Sequence, residues 1–431
     1  MLFGRVLLVV VTTLLVAPTL CAPPTNAFPE PAHRFTPPDP SEKFDAIVVG
    51  SGGGGLSAAA KLAYYGKKVL VLERSARIGG AWVTFNLTGD DGWSYRVDGS
   101  LHVLNAPAPH PYETDYFKLL QEIGAYDEIV WTAKRSIHRL VLDKEGLGRE
   151  WTLFTDPDRL VAELESKGFP GSSDAVHRLL NLTSKIVDQV SGIADIQYMN
   201  STWDKAKKIA YLLEHCPDLM RSMSQTAAEM VGPFIPDGDL RSILTSPVMY
   251  CAVPDKVLAG IMFAEMAGMW FKFGMTYPVG GSGGIAHRLA DFIERRGGRI
   301  LLNADVDRIV VEPKPNGWSK PRATGVSALV SGAVLPPTRL TYSAQAIISD
   351  INLPATMRIS GMENWPEAFQ QRLERMNFSD SVFTVSLGLT NRSVLDKIQG
   401  DAEILLADSL DMNENFARIR RGELSFMDIN E

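Results

Sequence analysis

Only three cysteines occur among the 431 residues, and Cys21 falls in an N-terminal leader. Cys216 and Cys251 alone remain for a mature chain, which excludes a disulfide framework or a thiolate metal site; two buried free thiols are expected, with a single bridge between them as the alternative. Basic charge is also short. Lys and Arg number 43 against 50 Asp and Glu, for a net charge of -7, and no dense basic block with interleaved aromatics occurs, so nucleic acid is not an expected partner. Among the seven histidines no metal-ligating cluster stands out, no pair of carboxylates is evident, and no Ser-His-Asp order appears. The apolar run Val6 to Ala17 is broken at Pro18, well short of the roughly 20 residues that a helix needs to cross a bilayer.

What is present suits a large globular protein: 45% hydrophobic residues and enough length for two or three domains. Arg5, the run Val6 to Ala17, then Pro18 and small or polar residues through Ala27 have the layout of a secretory signal peptide, with a membrane anchor as the rival reading. Cleavage suits Thr25-Asn26-Ala27 or Leu20-Cys21-Ala22. Residues 28–43 form a linker, and its five prolines from Phe28 to Pro40, without apolar periodicity, predict an exposed stretch. Five N-x-S/T sequons begin at Asn86, Asn181, Asn200, Asn377 and Asn391 and are compatible with secretory passage.

The run Phe44 to Val49 predicts a parallel strand covered on both faces. Gly50-Ser51-Gly52-Gly53-Gly54-Gly55 follows, then Leu56 to Ala63, rich in small residues and good helix formers, and Gly66 as a helix stop. A second strand, Lys68 to Leu72, ends at Glu73, 18 positions after Gly55. Strand, turn, helix, strand and acid in this order are the fingerprint of a dinucleotide site. Gly50 allows the tight turn, Gly52 lets the pyrophosphate approach the backbone, and Gly55 lets the helix pack on the strand. Ser51 and Gly54 complete the turn, and the helix N-terminus offers free N–H groups to phosphate. Glu73 suits the two hydroxyls of an adenosine ribose and would repel a 2′-phosphate.

Arg74-Ser75-Ala76-Arg77-Ile78-Gly79-Gly80 resembles the R-x-G-G element of the amine oxidase and phytoene desaturase flavoprotein superfamily, which implies FAD. In that superfamily the backbone of this element passes close to the pyrophosphate and flavin; Gly79 and Gly80 would permit that approach, with Arg74 and Arg77 beside them. Tyr277 to Ala286, a helix ending near Arg296, and strands at Arg299 to Leu302 and Val306 to Val311 resemble the Y-P-x-G-G segment of the phytoene desaturase, carotenoid isomerase and retinol saturase family. There the residue matching Val306 meets the adenine through its backbone, and Gly280, Gly281, Gly283 and Gly284 would pass beside flavin or substrate. Ala346 to Ser349 resembles a later strand that returns to the cofactor, with Asp350 where the family usually has asparagine. Arg96-Val97-Asp98-Gly99 departs from the family's F-D-x-G by one position, and after Thr390 only Gly400 and Gly422 occur. A closing segment over the flavin is therefore expected to be missing from residues 361–431.

The resemblance implies an α/β fold: a Rossmann-like, glutathione-reductase-like FAD domain from residues 44–105 and 276–360, with an inserted, largely helical substrate domain over 106–275, continued in 361–431. Helices are expected at Asp174 to Val190 and Trp203 to His215. Ile261 to Phe273, dense in methionine and aromatics, reads either as a core helix or as the wall of a channel for a long apolar substrate. The implied enzyme is an FAD-dependent oxidoreductase or isomerase acting on conjugated double bonds of a carotenoid or retinoid, in peripheral contact with a membrane. An amine oxidase-like flavoenzyme, or a non-catalytic binder of apolar pigments, is the alternative. The leader sends the chain to the endoplasmic reticulum; Phe28-Pro29 also resembles an algal plastid presequence. Flavin chemistry is carried by the cofactor, and no catalytic acid or base is assigned. His102 is the nearest candidate, but a hydrogen-bonded structural histidine is the favoured reading.

Overall fold

A computed structural model describes residues 7–10, 25–88, 92–101, 103–105, 115–142, 148–191, 202–236, 238–312, 321–331, 336–376, 381–384, 403–407 and 409–421. The leader apart from 7–10 and 25–27, His102, the sequons at Asn200, Asn377 and Asn391, and the glycines at 400 and 422 lie outside the described residues.

A six-stranded sheet organises the cofactor half, in the order Arg299–Leu301, Val69–Leu72, Phe44–Val49, Thr338–Ser349, Arg322–Val330, Ala304–Glu312. The first four strands are parallel and the last two pairings antiparallel. Thr338–Ser349 serves both regimes. Its first half pairs with Arg322–Val330, and its second half runs beside Phe44–Val49, with Ser349 opposite Val49.

Ala46 to Val49 and Val69–Leu72 are apolar without a break because both faces are covered. Val48, Val69 and Val71 meet the helices Gly53–Tyr64 and Gly283–Arg295 through Leu56, Ala59, Ala60, Ile285 and Leu289. Their neighbours Ile47, Val49, Leu70 and Leu72 face Val306, Val326 and Tyr342 on the other side. The helix Asp115–Glu122 also packs on the first of these cores, through Phe117 and Leu120.

The middle of the chain has its own core, built of helices together with a sheet of Arg149–Phe154, Ser136–Leu142 and Ile404–Ala407. Ser173–Ser191 and Thr202–His215 are helical, as the sequence predicts. Gly260–Phe273 packs on Ser173–Ser191, where Gly268 lies so near Thr183 O that an added Cβ would come within 2.9 Å. Phe263, Ala264, Ala267 and Trp270 face that core, whereas Met262 is half exposed. A small sheet of Leu104–Asn105, Met275–Pro278 and Trp131–Lys134 sutures the chain where it leaves and re-enters the cofactor half. Cys216 and Cys251 are free thiols, and burial raises the pKa of both.

The expected exposure of residues 28–43 holds in part: Pro29, His33 and Lys43 are exposed, but other side chains of the stretch are held by contacts. Arg34 is completely buried and bonds Glu30, Asp291 and Glu294. Phe28 stacks on His287 at 5.3 Å, and Ala27 N–H donates to Thr84 O. The proline-rich segment is instead a strap with a 3-10 turn at Ala32–Phe35, whose polar and aromatic side chains find partners on the Gly283–Arg295 helix.

Candidate functional site

The parallel strands end together at one edge of the sheet, where an open α/β sheet places its ligand. Phe44–Val49 runs into Gly50, whose φ of 99° belongs to the left-handed region and turns the chain sharply into the helix. Gly55 stands in the first helical turn so close to the strand that a Cβ there would collide with Gly50 O. Only glycine permits that approach.

Glu73, at the tip of Val69–Leu72, is fixed by three donors. Ser51 N–H and the Ser51 hydroxyl both reach Oε2, at 2.9 and 2.7 Å, and Ser75 N–H reaches Oε1 at 2.9 Å. The acid therefore stands beside the turn. Its backbone C=O accepts Ala304 N–H at 2.8 Å, which places Val306 two residues further along the neighbouring strand; the register is irregular between Val306 and Arg308.

The R-x-G-G element closes on the turn from the other side. Gly79 N–H donates to Ser51 O at 2.9 Å, and Gly80 abuts Gly52. Arg77 is half-buried with its guanidinium 4.8 Å over the Phe85 ring, and Arg74 is exposed. Trp82, which the sequence did not single out, lies against Gly53 and meets Tyr116 edge-on at 5.4 Å. The Tyr116 hydroxyl is buried with no hydrogen-bond partner among the described residues, and burial drives its pKa well above the ordinary phenol value.

The second glycine block is tied to the first by side chains. Both Asp98 oxygens accept Ser282 N–H, at 3.2 and 3.1 Å, and Asp98 also accepts the Thr84 hydroxyl. Thr84 Oγ1 in turn accepts Gly283 N–H at 2.8 Å. Asp98 thus anchors the start of the Gly283–Arg295 helix. The four glycines meet the chain's own groups: Arg96 at Gly280, Thr84 and Asp98 at Gly281, and the Phe28 ring at Gly283 and Gly284.

Two residues stand apart. Asp350, directly after Thr338–Ser349, leans into the turn, where burial raises its pKa. His138, on Ser136–Leu142, is fully buried, with Nε2 2.7 Å from Ser246 Oγ; burial lowers its pKa to about 3, so it is neutral. Pattern alone had no signal for Trp82, Thr84 or His138.

The residues present fit an ADP-containing dinucleotide. Gly52 and Gly54 leave the start of the Gly53–Tyr64 helix without side chains of its own, a helix N-terminus suits phosphate, and Glu73 is held as an acceptor beside it.

Residues 48–120 match the NAD(P)-binding Rossmann-like domain family. The chain is 26% identical over 288 residues to the inactive all-trans-retinol 13,14-reductase of Danio rerio, covering 66% of this chain and 45% of that protein. It is 25% identical over 353 residues to the all-trans-retinol 13,14-reductase of the same organism, covering 81% and 54%. To prolycopene isomerase 1, chloroplastic, of an Oncidium hybrid cultivar it is 27% identical over 277 residues, covering 63% and 44%. The chain spans about half the length of the curated relatives that it matches.

Proposed function

We propose that this chain, a homologue of retinol 13,14-reductases and prolycopene isomerases, holds FAD on the Gly50–Gly55 turn and acts on conjugated C=C bonds of a carotenoid or retinoid, by isomerisation or saturation. One observation carries the reading: Ser51 joins Glu73 to Gly79, so that ribose acceptor, phosphate turn and R-x-G-G backbone form one unit.

Glu73 takes the ribose hydroxyls, and the N–H groups at the start of the Gly53–Tyr64 helix take the pyrophosphate. Gly79 and Gly80 bring uncluttered backbone to the cofactor, and Arg74 and Arg77 add positive charge nearby. Val306 offers backbone to the adenine. FAD, when bound, supplies hydride and electron exchange. The chain's part is then to orient an apolar substrate and exclude water, for which the half-buried face of Gly260–Phe273, with Met266 and Met269, is suited.

Such a substrate partitions into lipid. The helix Thr202–His215 exposes Ile209 and Leu213 at 57% and 62%, which supports peripheral association with a membrane. The leader would direct the chain to the endoplasmic reticulum, or onward to a plastid.

The experiment is direct. FAD-supplemented protein is purified, its flavin absorption recorded, and the photoreduced form incubated with poly-cis carotenoids and with all-trans-retinol. A shifted chromatogram for either substrate supports the reading, and flavin-loaded protein that leaves both unchanged sinks it. Peroxide formed from simple amines would favour an amine oxidase instead.

A further inference from the structure

The strand Thr338–Ser349 delivers Asp350 against the cofactor turn, where its N–H donates to Val49 O at 2.8 Å. Gly52, the N-cap of the Gly53–Tyr64 helix, has no side chain with which to cap it. Asp350 stands in for that cap from a distance of some 300 residues in sequence: its carboxylate lies against Gly52, Gly54 and Gly55, and the Gly55 N–H counters the upward push of burial on its pKa. A Cβ on Gly52 would stand 2.7 Å from Oδ2, and one on Gly54 2.6 Å from Oδ1. The carboxylate therefore occupies the space that the missing side chains leave open.

A helix N-terminus draws an anion through its free N–H groups and its dipole. Here the chain presents its own anion to the end of the helix that a pyrophosphate would use. Two negative groups cannot share those donors without strong repulsion.

We propose that Asp350 is an intramolecular competitor of the pyrophosphate: it caps the helix in the dinucleotide-free protein and must take up a proton or turn away when the dinucleotide binds. The inference rests on the assignment of a dinucleotide to this turn.

No positive charge stands on the turn itself to offset the repulsion. Residues 50–56 carry no ionisable side chain, Trp82 is neutral, and the Arg77 guanidinium lies over Phe85. Glu73, on the neighbouring strand, adds to it. Burial and, to a smaller degree, the Glu73 charge raise the Asp350 pKa, against the Gly55 N–H, which lowers it. A pyrophosphate alongside would raise it further, so binding takes up a proton. Affinity is then greatest below the Asp350 pKa of the free protein and falls as pH rises above it.

The test measures FAD and ADP binding to the full chain by calorimetry between about pH 5.5 and pH 8, in buffers of different ionisation enthalpy that report the protons exchanged. Wild type, Asp350→Asn, Asp350→Ala and Gly52→Val are compared. Asn keeps an acceptor for Gly55 N–H but loses the charge; it should tighten binding at pH 8 by about tenfold or more and abolish the proton uptake. Ala should share the tightening while lowering the thermal midpoint, because it also removes the cap. Equal affinity and equal pH slope in wild type and Asp350→Asn would overturn the proposal while leaving the cofactor assignment intact. Absence of binding in every variant, or undiminished binding by Gly52→Val, would overturn the assignment and the proposal together.

Discussion

Arg34 grips Glu294 with two nitrogens, Nε at 3.1 and 3.2 Å from its two oxygens and Nη2 at 2.7 Å from Oε2, across 260 residues of sequence. The guanidinium is fully buried, and Nη1 holds Glu30 at 2.8 Å. Burial alone would lower its pKa, but the bonds to Glu294 and Glu30 outweigh that and hold it above the ordinary arginine value. Glu30 also accepts Ile78 N–H at 3.0 Å, inside the R-x-G-G element. Arg34→Met would leave buried carboxylates without their cation, a loss of about 3–5 kcal/mol. Urea unfolding at neutral pH checks this, and a loss below about 1 kcal/mol would mean that the strap is held by its apolar contacts instead.

The two glycines at the mouth of the turn should behave oppositely. Gly55→Ala forces a Cβ onto Gly50 O, backbone against backbone, and should cost about 1–3 kcal/mol of stability. Gly52→Ala meets only the end of the Asp350 side chain, at a φ of −65° that alanine adopts freely. Displacing that carboxylate from the helix end should cost about 0.5–1 kcal/mol, less than Gly55→Ala, while ADP and FAD binding weakens because the methyl stands in the pyrophosphate seat. Paired denaturation and binding curves separate the two effects.

Glu73→Gln removes the charge that receives the ribose hydroxyls while retaining an oxygen for Ser51 and Ser75. Hydrogen bonds to charged groups contribute about 1.5–3 kcal/mol, so FAD and ADP affinity should fall by roughly tenfold or more. Flavin fluorescence quenching measures it for FAD, and calorimetry for ADP. Unchanged affinity would place the adenosine ribose elsewhere.

His138 links stability to acid. Its pKa is depressed to about 3 in the folded chain against about 6.5 for a free histidine. The unfolded chain therefore binds a proton that the folded one refuses. The contribution is fully present above about pH 6.5 and is lost progressively as pH falls toward 3, with a slope approaching 1.4 kcal/mol per pH unit. Denaturation midpoints of wild type should drop from pH 7 to pH 4.5 by more than those of His138→Gln. Parallel profiles would show that the ring is protonated in the fold.

Much of the cofactor half was legible as pattern. Phe44 to Val49, the glycine turn, the small-residue helix and Glu73 are contiguous, and each follows from local rules: apolar runs for strands buried on both faces, glycine where the chain turns or touches itself. The helices at Ser173–Ser191 and Thr202–His215 announced themselves through apolar periodicity. Phe28 to Phe35 misled for a related reason. Proline density argues against a long helix or strand but says nothing of what the chain lies against. Asp98 was displaced by one residue from the motif that it resembles, yet its carboxylate still finds Ser282 N–H, because strand register and not sequence position aims it.

The sequence by itself determined a strand-turn-helix-strand unit with an acid at its tip, since those features depend on neighbours within about 30 residues. Only the tertiary structure decided what that unit touches. Thr84 and Asp98 on the second glycine block, Arg34 on Glu294 and Asp350 against the Gly52–Gly55 turn join segments that are remote in the chain. The physical reason is that a side chain's partner is set by sheet order and helix packing, which assemble apolar faces first and bring the polar tips together as a result.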